Sequence, residues 1–420
     1  MMIRYKYLLI TAVILFFADG EVFSQQAPLQ RAIVKRLQYL DTLKTTQLYK
    51  TTHVAAPFIL SGIILYTPGR RFQDLRNGFA PEFSVKGDDY FQYLPTMMLY
   101  SIKAGGIKGK SSWGRMLTTH ALSAVTMVAL VSGIKYTVKE PRPDKSADKG
   151  FPSGHAALAF MSANMVHHEY GLTRSPWYSV GAYSLATATS VIRILNNKHY
   201  IHDALLGAGM GILSTELGYY FSGLIFKNRG VLMSNKYFGE INVDRPSSFI
   251  GFTLGFNKIF NTIPITSTVN LKSTWGTTSG IEGACYFNNR WGLGAALTAN
   301  SSPSKVVRGN FSLSGPSVNW YTIAAGAYYS APVTKSGRLG GKVAVGYSSL
   351  LENSFNDYTI ASSEGFSLSG GVFFEQHITQ GMLVKLYTNV EKTFFNYNKF
   401  DLFNFVSGAS VNLDLRVFSY

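Results

Sequence analysis

Two residues near the middle of the chain have the types and the spacing that nucleophilic catalysis uses. His199 and Asp203 are four residues apart, so on a helix they would share one face. Asp203 can then accept a hydrogen bond from one ring nitrogen of His199 and leave the other nitrogen free to attack, as in catalytic triads. Exposed ion pairs with the same spacing are common and contribute little. The surrounding residues decide between these two interpretations.

A second histidine lies in the segment Pro152-Ser153-Gly154-His155, directly before an apolar block. Ser153 is a good N-cap residue, and Gly154 lets the backbone approach a ligand closely. The first N–H groups of the helix would then face an anion. From this position His155 can protonate a leaving oxygen. An ordinary helix start would explain the serine and the glycine equally well, but it does not explain the motifs elsewhere in the chain.

Three cations accompany the histidines, and they match the needs of phosphoryl transfer. Lys135, Arg142 and Arg193 can stabilise phosphate charge, and guanidinium groups bind phosphate oxygens bidentately. Lys135 could instead serve only as a cation that ends a helix. A zinc site would fit the histidine and aspartate ligands, but the basic neighbours repel a cation, so we predict no metal and no cofactor. A Walker-type phosphate loop is missing from the sequence, which argues against nucleotide hydrolysis.

Together these segments resemble the PAP2 (phosphatidic acid phosphatase type 2) and vanadium-haloperoxidase superfamily. Its signatures K-x6-R-P, P-S-G-H and S-R-x5-H-x3-D occur here in order, and the only departure is Ile192 in place of the serine of the third motif. The resemblance covers roughly residues 85–225 and implies a metal-independent phosphatase. It implies His199 as nucleophile through a phosphohistidine, His155 as acid and then base, and Asp203 as the holder of His199. The phosphate-binding residues that it implies are Lys135, Arg142, Ser153, Gly154 and Arg193.

Two other functions are compatible with parts of this pattern. A vanadium-dependent haloperoxidase would hold vanadate in the same pocket, although the short step from Pro143 to Pro152 is more typical of the compact phosphatases. A non-enzymatic barrel protein with a degenerate helical domain is the third possibility. The intact set of charged residues argues against degeneration.

Apolar residues up to about position 227 come in long blocks separated by proline and glycine, which indicates buried helices. We therefore predict an all-α bundle over residues 25–228. One block, residues 116–134, is uncharged and nearly long enough to cross a bilayer, whereas residues 54–66 are too few and Glu216 interrupts the last block. Membrane embedding of the bundle is possible on this evidence but not required.

After Asn228 the apolar residues recur with a period of two, for example Ile250, Phe252 and Leu254. This alternation predicts antiparallel strands. A β-sandwich would alternate too, but the 14% aromatic content and the glycine-rich, weakly charged second face are typical of outer-membrane barrels. We predict a barrel of about 8–10 strands over residues 229–420. One departure is Tyr420, which is out of phase with the apolar face of the last strand.

The N-terminus and the net charge indicate where the protein works. Arg4 and Lys6 precede an apolar run, and Val22-Phe23-Ser24 offers a cleavage site, so residues 1–24 are predicted to be a signal peptide. The net charge of +16 favours an anionic partner, namely a membrane with a phosphorylated lipid or a small phosphoester, since no nucleic-acid-binding pattern is present. We expect an exported outer-membrane protein with its helical domain in the periplasm, the inner membrane being the alternative. Substrates consistent with this include phosphatidic acid, lipid A, phosphatidylglycerophosphate and undecaprenyl diphosphate.

Overall fold

The structure is a computed structural model, and it divides into two compact units. Lys44–Phe238 form one unit, and Gly239–Tyr420 belong to the other. The predicted signal peptide and the predicted terminal aromatics Phe418 and Tyr420 lie outside the described residues. The parts of the chain that the structure describes are residues 46–235, 246–264, 269–308, 311–333, 337–355, 358–379, 382–395 and 401–415.

The first unit is helical. Its α-helices, in chain order, are α1 (Gln47–Thr52), α2 (Ala55–Ile64), α3 (Phe72–Phe79), α4 (Asp88–Phe91), α5 (Leu94–Ala104), α6 (Trp113–Thr137), α7 (Gly154–Val166), α8 (Pro176–Leu195) and α9 (Ile201–Phe226). A 3-10 turn (Pro68–Arg71) follows α2, and a π-helical turn (His167–Gly171) follows α7. The predicted order of helices followed by strands is confirmed.

Helix α7 lies at the centre of this bundle, and almost all of its side chains are buried. Two glycines of α9 pack directly against its backbone. A Cβ atom on Gly207 would lie 2.4 Å from the carbonyl oxygen of Ser153, and one on Gly211 would lie 2.2 Å from that of Ala157. Because only glycine fits such contacts, the two helices approach closely. The first turns of α7 and α9 are therefore held side by side.

The second unit is built from antiparallel strands. They are β1 (Phe249–Ile259), β2 (Thr262–Pro264), β3 (Asn270–Ser273), β4 (Gly276–Tyr286), β5 (Trp291–Arg308), β6 (Phe311–Pro332), β7 (Gly337–Leu350), β8 (Asn353–Phe355), β9 (Tyr358–Ile360), β10 (Ser363–Thr379), β11 (Met382–Phe395) and β12 (Asp401–Asp414). Neighbouring strands pair in the order β1, β4, β5, β6, β7, β10, β11, β12 and back to β1, which closes a ring of eight strands. The predicted barrel is confirmed, and the closed ring excludes the sandwich.

The outer face of the barrel carries many apolar side chains, and buried ion pairs lie among the buried residues of the strands, beside two apolar clusters. Its exposed apolar residues include Phe252, Leu293, Ile323, Val343, Val345, Val372 and Val390. Inside, Lys385 on β11 donates to Glu282 on β4 at 2.7 Å, and Lys342 on β7 donates to the same carboxylate at 3.0 Å. These strands are not neighbours in the ring, so the contacts cross its interior. An apolar outer face with ion pairs inside is typical of barrels that span a membrane.

In the described residues, α6 is the one helix that is long and apolar enough to cross a membrane, and only 22% of its most apolar window is buried in the bundle.

Candidate active site

The predicted nucleophile lies directly before α9. His199 and Asp203 do contact each other, with 3.3 Å between His199 Nδ1 and Asp203 Oδ2, and both side chains are buried. The expectation that they share a helix face is wrong, because α9 begins only at Ile201. Asp203 instead occupies the first turn, and its Oδ2 also accepts a hydrogen bond from the backbone N–H of Tyr200 at 2.8 Å. The contact with Nδ1 leaves Nε2 of His199 as the nitrogen available for attack.

Three further side chains, those of His202, Glu140 and Arg70, form a series of contacts that ends at Asp203. His202 Nε2 lies 3.4 Å from Asp203 Oδ1 and 3.1 Å from Glu140 Oε2. Glu140 in turn accepts from Arg70 Nη2 at 2.7 Å. No role for His202 is predicted from the sequence, and Glu140 lies inside the first motif without a predicted role. Its place next to Pro141 and Arg142 was the one available signal.

Those three acidic and histidine side chains could also hold a metal ion. One ligand atom from each of Glu140, His202 and Asp203 lies within 4.8 Å of the others. The other oxygen of Glu140, Oε1, already accepts from Arg70, so this carboxylate is paired with a guanidinium group. The zinc set considered from the sequence consists of His155, His199 and Asp203, and it shares only Asp203 with this cluster.

Buried surroundings change the acidity of His199. Burial lowers its pKa from the ordinary value, Asp203 opposes this shift, and the positive charges of Arg193 and Arg142 add to it. A buried imidazole next to cations stays neutral because protonation would add a further charge in a poorly solvated place. His199 is therefore neutral at physiological pH, as a nucleophile must be.

The start of α7 is built as predicted. Ser153 is the N-cap, and its Oγ accepts a hydrogen bond from the backbone N–H of Ala156 at 3.3 Å. The backbone N–H of Ser153 donates to the carbonyl oxygen of Asp203 at 3.0 Å, which ties the two helix starts together. As a result, the rings of His155 and His199 lie 6.5 Å apart, measured between centroids.

His155 has an acidic partner that the sequence did not reveal. Its Nε2 lies 2.9 Å from Asp89 Oδ1. Burial and the charges of Arg193 and His199 lower the pKa of His155 to about 4, although Asp89 acts in the opposite direction. His155 is thus neutral at pH 7 and donates its Nε2–H to Asp89.

Arg193 is the cation most directly joined to the histidines. It is buried near the end of α8, and its Nη1 donates to Asp88 Oδ2 and to Asp89 Oδ1, both at 2.8 Å. The acidic pair Asp88-Asp89 was visible in the sequence, but no motif marked it. Arg193 Nε is buried without a hydrogen-bond partner among the described residues, so this N–H can still bind a ligand.

The other two predicted cations are placed more loosely. Arg142 lies close enough to lower the pKa of His199, and its Nε is likewise buried without a partner in the described part of the chain. Lys135 donates to the backbone carbonyl of Lys149 at 2.9 Å and lies within electrostatic reach of Arg142 and Asp203. The predicted residues therefore converge on one end of the bundle, and their catalytic and phosphate-binding roles stay predictions.

Comparison with known proteins finds a family match in the segment that contains the predicted site residues. Residues 116–226 match the family model described as the PAP2 superfamily. The lipid A 1-phosphatase of Porphyromonas gingivalis is 41% identical over 179 residues, which are 42% of this chain and 40% of that protein. The chain therefore covers well under half of this relative's length.

Solved structures resemble each unit only loosely. A transmembrane PAP2-type phosphatidylglycerolphosphate phosphatase from Bacillus subtilis is 17% identical, covering 43% of this chain and 100% of that one with a TM-score of 0.32. The outer membrane protein OprG from Pseudomonas aeruginosa is 12% identical, covering 41% and 98% with a TM-score of 0.30. At such low scores these likenesses carry no weight of their own. The segment that matches the PAP2 superfamily, residues 116–226, holds every predicted site residue from Lys135 to Asp203.

Proposed function

We propose that the protein is a metal-independent lipid phosphatase that hydrolyses a phosphate monoester or diphosphate through a phosphohistidine on His199. One observation carries the proposal. Asp203 holds His199 through Nδ1, which leaves Nε2 free. The ring of His199 lies next to the ring of His155. The proposed nucleophile and acid thus lie beside the starts of α9 and α7, and Arg193 reaches the same place from the end of α8.

The phosphate would be bound by groups that have hydrogen-bonding capacity left. Arg193 Nε and Arg142 Nε are buried and unpartnered among the described residues. The backbone N–H of Gly154 lies at the N-terminus of α7, whereas that of Ser153 already donates to the carbonyl oxygen of Asp203. Helix N-termini and guanidinium groups both favour anions. Lys135 adds positive charge nearby. Phosphoryl transfer depends mainly on such positioning and charge stabilisation.

The first step joins the phosphorus to the enzyme. The lone pair of His199 Nε2 attacks phosphorus, a P–N bond forms, and the bond from phosphorus to the lipid oxygen breaks. His155 gives its proton to that oxygen, which leaves as an alcohol, or as a phosphate if the substrate is a diphosphate. Asp203 accepts the Nδ1–H hydrogen bond throughout and stabilises the positive charge that develops on the ring.

The second step releases phosphate. His155, now neutral, takes a proton from water while the water oxygen attacks phosphorus, and the P–N bond breaks to restore His199. The low pKa of His155 in the empty site, about 4, agrees with this cycle. Binding of a phosphate dianion adds negative charge beside the ring and raises its pKa, so the ring takes up from solvent the proton that it donates in the first step.

We infer a lipid substrate in the cell envelope. The apolar outer face of the barrel supports a location in the outer membrane, with the helical unit in the periplasm. The relative from Porphyromonas gingivalis acts, by its name, on the 1-phosphate of lipid A, so lipid A is the first substrate to test. Phosphatidic acid, phosphatidylglycerophosphate and undecaprenyl diphosphate are the alternatives with the same terminal phosphate chemistry.

The experiment uses the full-length protein in detergent micelles with each of these lipids. We expect release of inorganic phosphate that survives EDTA, is inhibited by vanadate and disappears in His199→Ala. The matched control, His53→Asn, removes a histidine of the same bundle outside the site and should keep full activity. Turnover by His199→Ala, or loss of wild-type activity on chelation, would contradict the proposal. Recovery of the protein in inner-membrane fractions would contradict the location.

A further inference from the structure

Two consecutive carboxylates reach the site from the short helix α4. Asp88 and Asp89 both accept hydrogen bonds from Nη1 of Arg193, at 2.8 Å each. They follow Gly87, whose φ of +80° lies in the left-handed region that favours glycine. The mechanism above uses neither carboxylate, although both touch a residue that it needs.

The two carboxylates differ in how firmly they are held. The side chain of Asp88 is only 12% exposed, and its Oδ2 also accepts from Asn196 Nδ2 at 2.7 Å. Asp89 is 68% exposed, and the described hydrogen bonds of its carboxylate are those with Arg193 and His155. Asp88 is therefore part of the fixed wall of the site, whereas Asp89 has open space into which it can turn.

The position of Asp89 coincides with the one that a phosphate oxygen requires. Its Oδ1 lies 2.8 Å from Arg193 Nη1 and 2.9 Å from His155 Nε2. A substrate must place an oxygen against the same arginine and its leaving oxygen against the same ring nitrogen. Two negatively charged oxygens cannot share this place, because they would repel each other and compete for the same hydrogens.

We propose that Asp89 is an internal competitor for the substrate phosphate: it occupies the Arg193–His155 contact in the empty site and turns out when substrate binds. This inference rests on the proposed function. Asp88 keeps Arg193 in place while Asp89 leaves, so the arginine does not collapse into the pocket or swing away.

The balance of charge makes the exchange feasible and selective. An ion pair on a largely exposed side chain is weak, so a phosphate that binds Arg193 can displace Asp89. A terminal phosphate monoester carries close to two negative charges at neutral pH, against one on Asp89. A phosphodiester carries one charge only and gains less from the exchange. Asp89 therefore favours terminal phosphates over diesters.

Partial burial alone would raise the pKa of Asp89, but Arg193 and His155 lower it below its usual value. The competitor is consequently ionised throughout the neutral range. Protonation does not remove it from the site under the conditions in which the protein would work, so displacement by an anion is the route by which the site opens.

The test compares Asp89→Asn, Asp89→Ala and Asp88→Asn with wild-type full-length protein. Inhibition constants for inorganic phosphate and vanadate are measured, and direct phosphate binding is measured by calorimetry. Because the apparent affinity scales with the fraction of open sites, a site open about one time in ten predicts roughly tenfold tighter phosphate binding in both Asp89 variants. Asp88→Asn should bind phosphate more weakly, since Arg193 loses its anchor.

A control separates this effect from a general loss of negative charge. Glu82→Gln removes an exposed carboxylate from the same segment and should leave phosphate affinity unchanged. Unchanged or weaker phosphate binding in both Asp89 variants would overturn the inference. A fall in kcat with a shift of the acidic side of its pH profile, and with no gain in phosphate affinity, would overturn it too. That last result would make Asp89 a positioning residue for His155.

Failure of the inference can be told from failure of the proposed function. If wild-type protein hydrolyses lipid phosphate but the Asp89 variants bind phosphate no more tightly, only the inference fails. If wild-type protein hydrolyses none of the lipids yet phosphate binding tightens on removal of Asp89, the site is an anion site and the proposed function fails.

Discussion

Replacing Asp203 by asparagine isolates the charge that supports the nucleophile. The asparagine oxygen can keep the hydrogen bonds from the Tyr200 backbone N–H and from His199 Nδ1, which are 2.8 Å and 3.3 Å long in the native protein. The opposite amide orientation would set an N–H group against two donors. The side chain therefore keeps its shape, and the full negative charge is what disappears.

The size of the loss follows from the distance. Two unit charges at about 3.3 Å interact by ~5 kcal/mol at an effective dielectric constant near 20. The amide dipole restores part of this energy, so we expect the barrier to rise by ~4 kcal/mol, which is about a 10³-fold fall in kcat. KM should change little, because Asp203 does not bind the phosphate.

Steady-state and single-turnover hydrolysis of the preferred lipid give the two constants, and thermal unfolding checks the fold. The matched control Asp148→Asn removes an exposed carboxylate of the loop before α7 and should keep kcat within about twofold. A correctly folded Asp203→Asn protein with kcat within tenfold of wild type would refute the role of Asp203.

Three further predictions concern stability. Ser153→Ala removes the N-cap of α7 and should lower the free energy of unfolding by about 1 kcal/mol, seen as a lower Tm. The pKa of His155, about 4, lies below the 6.5 of an unfolded histidine, so the folded state resists protonation. The free energy of unfolding should therefore be greatest above pH 6.5 and fall towards pH 4. Measurements of Tm against pH should show a less steep fall in His155→Asn. Leu293→Arg, at an outer position of the barrel that is 64% exposed, should lower the free energy of unfolding in a bilayer by about 2–4 kcal/mol. The control Asn289→Arg, in the adjoining exposed turn, should lower it little. Equal effects of the two variants in a urea titration of the bilayer-inserted protein would contradict a lipid-facing surface.

The barrel was predictable because its signal is local. Alternation such as Ile250 and Phe252 against glycine and threonine requires only the period of a strand. The aromatic content and the weakly charged second face indicated which side meets lipid. The crossing pair of Glu282 and Lys385 was not predictable, since the two residues are 103 positions apart and meet only when the ring closes.

The site was predictable where its residues are near in sequence. Ser153 caps α7 as expected, and His199 contacts Asp203, though the capping geometry of α9 rather than a shared helix face brings them together. The sequence did not mark Asp89 as a site residue, because Asp89 lies 66 residues from His155. Short motifs report chemistry within one segment, whereas the partners that set the acidity of a group come from whichever segments pack against it.

The central claim is a covalent phosphohistidine on His199, and trapping it is the most direct test. Full-length protein would be mixed with a lipid carrying a radiolabelled terminal phosphate, quenched in alkali within the first turnover and digested for peptide mapping. We predict label on the peptide that contains His199, stable in alkali and lost in acid, and no label in His199→Ala. Active protein that acquires no label, or label on a different residue, would contradict the mechanism.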